Sequence, residues 1–239
     1  MKIFNFCGAS VKDAEGVKNL AETLHKVGYE NTLVVVSAMG KTTNAMEQIL
    51  QAFFHDETGL DRSFQWVVDF HRGILDDLFE KENHPIYHIV NSYFLELKAY
   101  LSNTTSKDYN FVYDQTVGYG ELISTTIISH YLKQSGIDNS WIDARTLIKT
   151  DNYFRRANVN WEVTQELISG HIDTNRLNIT QGFIASDPDH LTTTLGREGS
   201  DYSAAIFAYC LDAEDLTIWK DVPGVLNADP KYFDDTILL

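Results

Sequence analysis

The run Thr32 to Val36, T-L-V-V-V, constrains the fold more than any other stretch of the chain. A continuous β-branched and leucine run leaves no polar face, so it suits a strand buried on both sides, as in a parallel sheet covered by helices. What precedes it agrees. Lys2 to Phe6 reads as a short apolar strand, C-G-A-S as a turn, and Val17, Leu20, Ala21, Leu24 and Val27 recur at helical spacing before Gly28 supplies a stop. The opening is therefore β-α-β with a parallel pair. The polar S-A-M-G-K-T-T-N that follows Val36 falls at the carboxyl end of a strand, where open α/β sheets bind ligands.

Residues 45–101 read as helices, an insertion or lobe, with one clear stripe of Ile86, Ile89, Val90, Tyr93, Phe94, Leu97 and Leu101 and a less tidy pattern from Phe64 to Phe79. Ser102 to Asn110 is the best loop candidate, and a helix resumes from Gly120 to Leu132. Trp141 to Ile148, Leu177 to Ile184 and Leu216 to Trp219 are further strand candidates, the first two separated by a helix near Trp161 to Ile168. The whole reads as an open, mainly parallel sheet flanked by helices.

A chain of 239 residues can bury a substantial core, and a formal charge of −15 argues against nucleic acid or an anionic membrane surface as the main partner. No apolar run of membrane-spanning length occurs, and Cys7 and Cys210 lie too far apart in sequence for a C-x-x-C site, so the expected setting is a reducing cytoplasm. Both cysteines read as small packing residues.

The richest stretch for chemistry is T-T-T-L-G-R-E-G-S-D-Y-S-A-A, Thr192 to Ala205. A turn feeding a helix N-terminus points unpaired N–H groups and the positive dipole end at an anion. Ser200 or Asp201 is explicable as a helix cap, but Arg197 between two glycines is not. The G-K-T-T at residues 40–43 is no Walker A motif, because Val35 stands where its first glycine is required. Lys41 can still meet an anion as a point charge. His84 and His88, four apart, read as a surface pair for want of a third metal ligand.

Taken in order, five blocks resemble aspartate kinase, of the amino acid kinase superfamily. They are F-x-G-x-S-V from Phe6, V-V-V-S-A-M-G-K-T-T-N from Val34, G-E-L-x-S from Gly120, T-L-G-R-x-G-S-D-Y from Thr194 and D-V-P-G-V-x-x-A-D-P from Asp221. Sibling kinases of acetylglutamate, carbamate, glutamate or uridylate share the fold. The resemblance implies transfer of the ATP γ-phosphoryl group to the β-carboxylate of L-aspartate, giving 4-phospho-L-aspartate on the route to lysine, threonine and methionine. It implies a catalytic domain over 1–239 that continues beyond this stretch, no ACT regulatory domain within it, and a possible homo-oligomer. Arg197 would clamp a substrate carboxylate and Glu121 would receive the ammonium, with Ser37, Thr43 and Ser200 as hydroxyl contacts. Asp201 would organise the groups around the transferred phosphoryl, with Gly8 and Lys41 beside it in the catalytic set. Lys220, Asp221, Leu226, Asp229 and Lys231 would hold ATP, which carries its own Mg²⁺ without a protein ligand. A sibling kinase acting on another acid, or a relative that binds without turnover, are the alternatives.

Several positions depart from the family pattern, among them Lys231, where the family usually has arginine. Asn5 stands where the family has a lysine that reaches the phosphates, Cys7 replaces a glycine, Glu198 another glycine, and Lys220 a threonine. Loss of one preorganised donor to transition-state charge costs ~10²–10³ in rate, so Asn5→Lys is expected to raise kcat unless another cation compensates.

Overall fold

The computed structural model describes residues 1–55, 57–80, 84–196, 199–220, 224, 226–228, 230 and 232–238. Strands β1 (Lys2–Phe6), β2 (Thr32–Val36), β3 (Ser140–Ile142), β4 (Asn178–Gln181) and β7 (Asp215–Trp219) form an open sheet in the order β3-β4-β2-β1-β7, every pair parallel. A separate antiparallel hairpin joins β5 (Ile184–Ser186) to β6 (Thr192–Thr194). This is the open parallel architecture that T-L-V-V-V demanded, and all five of its residues are buried.

Alternation along the central strands sends side chains to two cores. Phe4, Phe6, Val34 and Val36 face helices α1 (Ala14–Val27), α2 (Thr42–His55), α3 (Glu57–Leu78), α4 (Pro85–Asn103), α5 (Tyr109–Val117) and α6 (Tyr119–Gln134). Ile3, Leu33 and Val35 face the other layer, built from α7 (Ala144–Leu147), α8 (Trp161–His171) and α9 (Gly199–Cys210). Asn5 is two residues from Ile3 and so points with it toward α9. Helix α1 begins at Asp13, which accepts from the Gly16 N–H, and ends at Gly28 with φ +83°.

Several sequence expectations are corrected. The Ser102 to Asn110 loop shrinks, because α4 runs to Asn103 and α5 starts at Tyr109. Helix α5 escaped detection because its buried face includes Asp114 and Thr116 among Val112, Tyr113 and Val117, which blurs the apolar stripe. Trp141 to Ile148 is a three-residue strand followed by α7, started by the Asp143 carboxylate accepting from Arg145 N–H. Leu177 to Ile184 is two strands, broken at Gly182 and Phe183 where α9 arrives. A Cβ on Gly182 would collide with the Ser200 hydroxyl and lie 2.7 Å from the Ser200 Cα, so this approach requires glycine. His84 precedes α4 rather than sharing a helical face with His88. It is the N-cap, accepting from Ile86 N–H, with its ring tilted 32° against Phe79 at 4.7 Å, while His88 is exposed.

Candidate active site

Because the strands are parallel, their carboxyl ends collect on one edge of the sheet. Cys7, Ser37 and Lys220, the first residues beyond β1, β2 and β7, border a cleft of about 1050 Å³ there, with Phe183 just after β4. That volume is at the upper end of the range for small-molecule sites. Close packing shapes its floor. A Cβ on Gly8 would lie 2.5 Å from the Ala38 carbonyl oxygen, and the Gly8 carbonyl accepts from Gly40 N–H at 2.9 Å, so the loops after β1 and β2 interlock only with glycine at position 8.

One wall carries Glu121, in the first turn of α6 and 2% exposed. Its Oε1 accepts from Ala38 N–H at 3.3 Å, while its buried Oε2 has no partner among the described residues. Burial pushes this carboxyl up to about 8. A buried carboxylate oxygen without a donor is costly, so a cation against Oε2 would both ionise the group and repay its desolvation. The Ser124 hydroxyl, one turn further along α6, donates to the Ser37 carbonyl at 2.8 Å and ties this helix to the end of β2. Thr43, in the first turn of α2, completes this side of the cleft.

The opposite wall is the N-terminus of α9. Ser200 and Asp201 stand inside its first turn, and their side chains reach into the sheet. The Ser200 hydroxyl donates to Asn5 Oδ1 at 2.9 Å, Asn5 Nδ2 donates to Asp201 Oδ1 at 2.6 Å, and Lys220 Nζ donates to Asp201 Oδ2 at 3.0 Å. Asn5 is fully buried. A neutral amide thus holds one oxygen of Asp201 and an ammonium from the neighbouring strand holds the other. The helix N-terminus beside them adds a positive end aimed at the same space.

The model of the amino acid kinase family matches residues 2–239. The chain belongs to the amino acid kinase family. Within it, the similarity is to aspartokinases. The chain is 30% identical over 247 residues to bifunctional aspartokinase/homoserine dehydrogenase 2 of Arabidopsis thaliana, covering 99% of itself and 26% of that protein. It is 41% identical over 122 residues to lysine-sensitive aspartokinase 3 of Escherichia coli, covering 49% of itself and 27% of the relative. The crystal structure of E. coli aspartokinase III in complex with aspartate and ADP superposes with a TM-score of 0.90 at 28% identity, over all of this chain and 53% of that one. The chain therefore spans about a quarter of the plant bifunctional relative and about half of the bacterial structure. The resemblance drawn from the five blocks, and the amino acid kinase fold, are borne out.

Of the residues singled out in sequence, Ser37, Thr43, Glu121, Ser200, Asp201 and Lys220 come together at the cleft. Gly8 acts from beneath through its packing. Lys41 is exposed and is not among the residues that border the cleft, and Leu226 pairs with Leu238 in an isolated bridge. Arg197, Glu198, Asp221, Asp229 and Lys231 lie outside the described residues. Sequence reasoning passed over Arg155 and Arg156, which also border the cleft, and the Asp114 that anchors their loop. The available signal was a carboxylate inside the otherwise apolar V-Y-D-Q-T-V of α5, and a pair of arginines in a strongly acidic chain.

Proposed function

We propose that the chain transfers the γ-phosphoryl group of ATP to the β-carboxylate of L-aspartate, giving 4-phospho-L-aspartate, in the cytoplasm and at the head of lysine, threonine and methionine synthesis. Glu121 carries the acceptor assignment: a buried carboxylate at a cleft, with one oxygen unpartnered among the described residues, is complementary to an ammonium, which an amino acid supplies. Support comes from the superposition on a protein solved with aspartate and ADP.

In this reading Ser37 and Thr43 offer hydroxyls to the acceptor, Arg197 clamps a carboxylate, and Asp221, Leu226, Asp229 and Lys231 serve the nucleotide, whose Mg²⁺ arrives with it. The acceptor carboxylate is already ionised at neutral pH, so no general base is required. One of its oxygens attacks the γ-phosphorus in line, the bond to the β,γ-bridging oxygen breaks, and the electron pair leaves with ADP. Charge on the moving phosphoryl meets the α9 N-terminus and Lys220, whose ammonium Asp201 aims. Catalysis consists of positioning and electrostatics rather than covalent participation by the protein.

The test is ATP-dependent formation of aspartyl hydroxamate with L-aspartate and hydroxylamine present, run beside a panel of other amino acids and carbamate. Hydroxamate from aspartate above the other acids is the expected result. Preference for glutamate or carbamate would refute the acceptor assignment, and binding of ATP and aspartate without turnover would refute catalysis by this stretch.

A further inference from the structure

We propose that Asp114 is a positioning residue that sets the wall of the cleft beside Thr43, by holding three segments of that wall on one buried carboxylate. The inference deepens the acceptor reading above and rests on it for its kinetic consequence. The wall is built from the start of α5, the loop of residues 152–156 and the end of β6, which border the cleft but lie outside the five-stranded sheet. Asp114 of α5 is fully buried. Its Oδ2 accepts the Arg155 N–H and the Thr194 N–H, each at 2.9 Å, and its Oδ1 accepts the Thr194 hydroxyl at 2.8 Å. Thr194 is equally buried, and its carbonyl accepts the Ala157 N–H at 3.1 Å, so loop and strand are tied to each other as well as to the helix.

The loop reaches this carboxylate already shaped. Asp151 Oδ1 accepts the N–H groups of Tyr153 and Asn158, at 3.1 and 2.9 Å, which closes residues 151–158 on themselves. A loop closed in this way can still swing as a unit, and Asp114 fixes where it stops. Arg155 meets Asp114 at φ +69°, a left-handed conformation that arginine seldom adopts and that persists only where the surroundings over-determine it. Phe154 adds an edge-on contact with Phe111 of α5, ring centres 5.2 Å apart. From the residue beside Asp114, the Tyr113 hydroxyl donates to Glu47 Oε1 at 3.1 Å, and Glu47 lies one turn of α2 from Thr43. The wall is thus referenced to the side of the cleft that Thr43 and Glu121 occupy. Tyr113 borders the cleft and Asp114 does not, so Asp114 acts from behind the wall rather than on a ligand.

Asparagine at position 114 can reproduce all three contacts: its carbonyl oxygen takes both N–H groups, and its amide N–H meets the Thr194 hydroxyl, which turns from donor to acceptor. Alanine can make none of them. The experiment measures kcat and both KM values for Asp114→Ala, Asp114→Asn and Thr194→Val, each well below its recorded melting temperature, with amide hydrogen exchange of residues 152–158 followed in the absence of substrates. Asp114→Ala should raise KM for aspartate roughly tenfold to a hundredfold, as a displacement of about 1 Å in a positioning group does, leave KM for ATP in place and speed exchange of the loop. Asp114→Asn should stay within about threefold of the unmodified chain, since neutral hydrogen bonds keep about half the strength of charge-assisted ones. Thr194→Val removes one contact of the three and should fall between them, and it decides the matter if Asp114→Ala does not fold. A merely structural role lowers the melting temperature and leaves KM of the folded protein unchanged. That result, a rise confined to KM for ATP, unaltered exchange of the loop, or asparagine as damaging as alanine would overturn the proposal. If the chain prefers another amino acid, the aspartate reading fails on its own, and the same variants on the preferred acceptor decide the role of Asp114. If it binds without turnover, affinity for the amino acid by calorimetry takes the place of KM.

Discussion

Two carboxylates that border the cleft are treated in opposite ways by the fold. Asp201 is satisfied on both oxygens, by the Asn5 amide and the Lys220 ammonium, and it sits at a helix N-terminus. Glu121 is deeper, has one weakly satisfied oxygen and one that is bare among the described residues, and is pushed up to about 8 by burial. A carboxylate whose partners are supplied by the protein organises those partners, whereas one left short of a partner is kept for a ligand. In the proposed reading, the satisfied carboxylate marks the phosphoryl side and the one short of a partner marks the acceptor side.

The sharpest test of the phosphoryl side removes its cation. Lys220→Met should lower kcat by ~10²–10³, the cost of one preorganised donor to developing charge, with KM for the amino acid little changed. Pre-steady-state rates of ADP formation check that the loss is in chemistry. An equal loss carried by KM instead would assign Lys220 to ground-state binding and dissolve the contrast.

Removing the charge on the acceptor side should cost less and appear elsewhere. Glu121→Gln keeps the shape of the protonated acid but offers an ammonium no negative charge, so KM for the amino acid should rise roughly tenfold to a hundredfold. Its kcat at saturating amino acid should change far less. Titration of the amino acid by calorimetry provides the check, and undiminished affinity would remove Glu121 from the acceptor site.

A smaller effect is expected at Asn5, and its sign reverses the expectation drawn from the family pattern. Position 5 lacks the usual lysine, but Lys220 reaches the same carboxylate from the adjacent strand. Asn5→Lys would bring a second ammonium to Asp201 in a fully buried position and would remove the acceptor of the Ser200 hydroxyl. It should therefore lower kcat a few-fold by itself, and Asn5→Lys combined with Lys220→Thr should recover most of what Lys220→Thr loses. A rise in kcat from Asn5→Lys alone would show that Lys220 does not fill the role.

How far these positions were legible follows from the range of the forces that place them. The strands β1 and β2 and helix α1 announce themselves by local periodicity, and the Ser37, Glu121 and Asp201 blocks by polar residues clustered at element ends. The hairpin strand β6, T-T-T, has no apolar alternation. It is held instead by Gln115, whose amide both donates to the Thr192 carbonyl and accepts its N–H, and by Asp114. The left-handed Arg155 likewise depends on Asp114, 41 residues away. Nothing in a local window reports such a pairing. The Lys220 contact with Asp201 was one of several conceivable, and only the parallel register of β1 with β7 selects it.

The finest distinction between the two carboxylates is a proton. Glu121 has an ordinary carboxyl value of 4.5 when unfolded and about 8 when folded, so between these limits the folded chain binds the proton that the unfolded chain has lost. The contribution of this group to stability is therefore greatest below 4.5 and is lost as pH rises through 8, the reverse of a salt-bridged carboxylate. An ammonium seated on Oε2 favours the ionised form and pulls the value down. Binding of the amino acid near pH 7 should then release a proton from this site, up to one per site, because the free group is held protonated by burial. Calorimetry in two buffers of different ionisation enthalpy counts that proton directly, and affinity should rise with pH up to about 8. Glu121→Gln should abolish the release and flatten the pH dependence, whereas Lys220→Met should leave both intact. Release that survives in Glu121→Gln would place the proton on another group and would make the bare oxygen of Glu121 a feature of packing rather than of recognition.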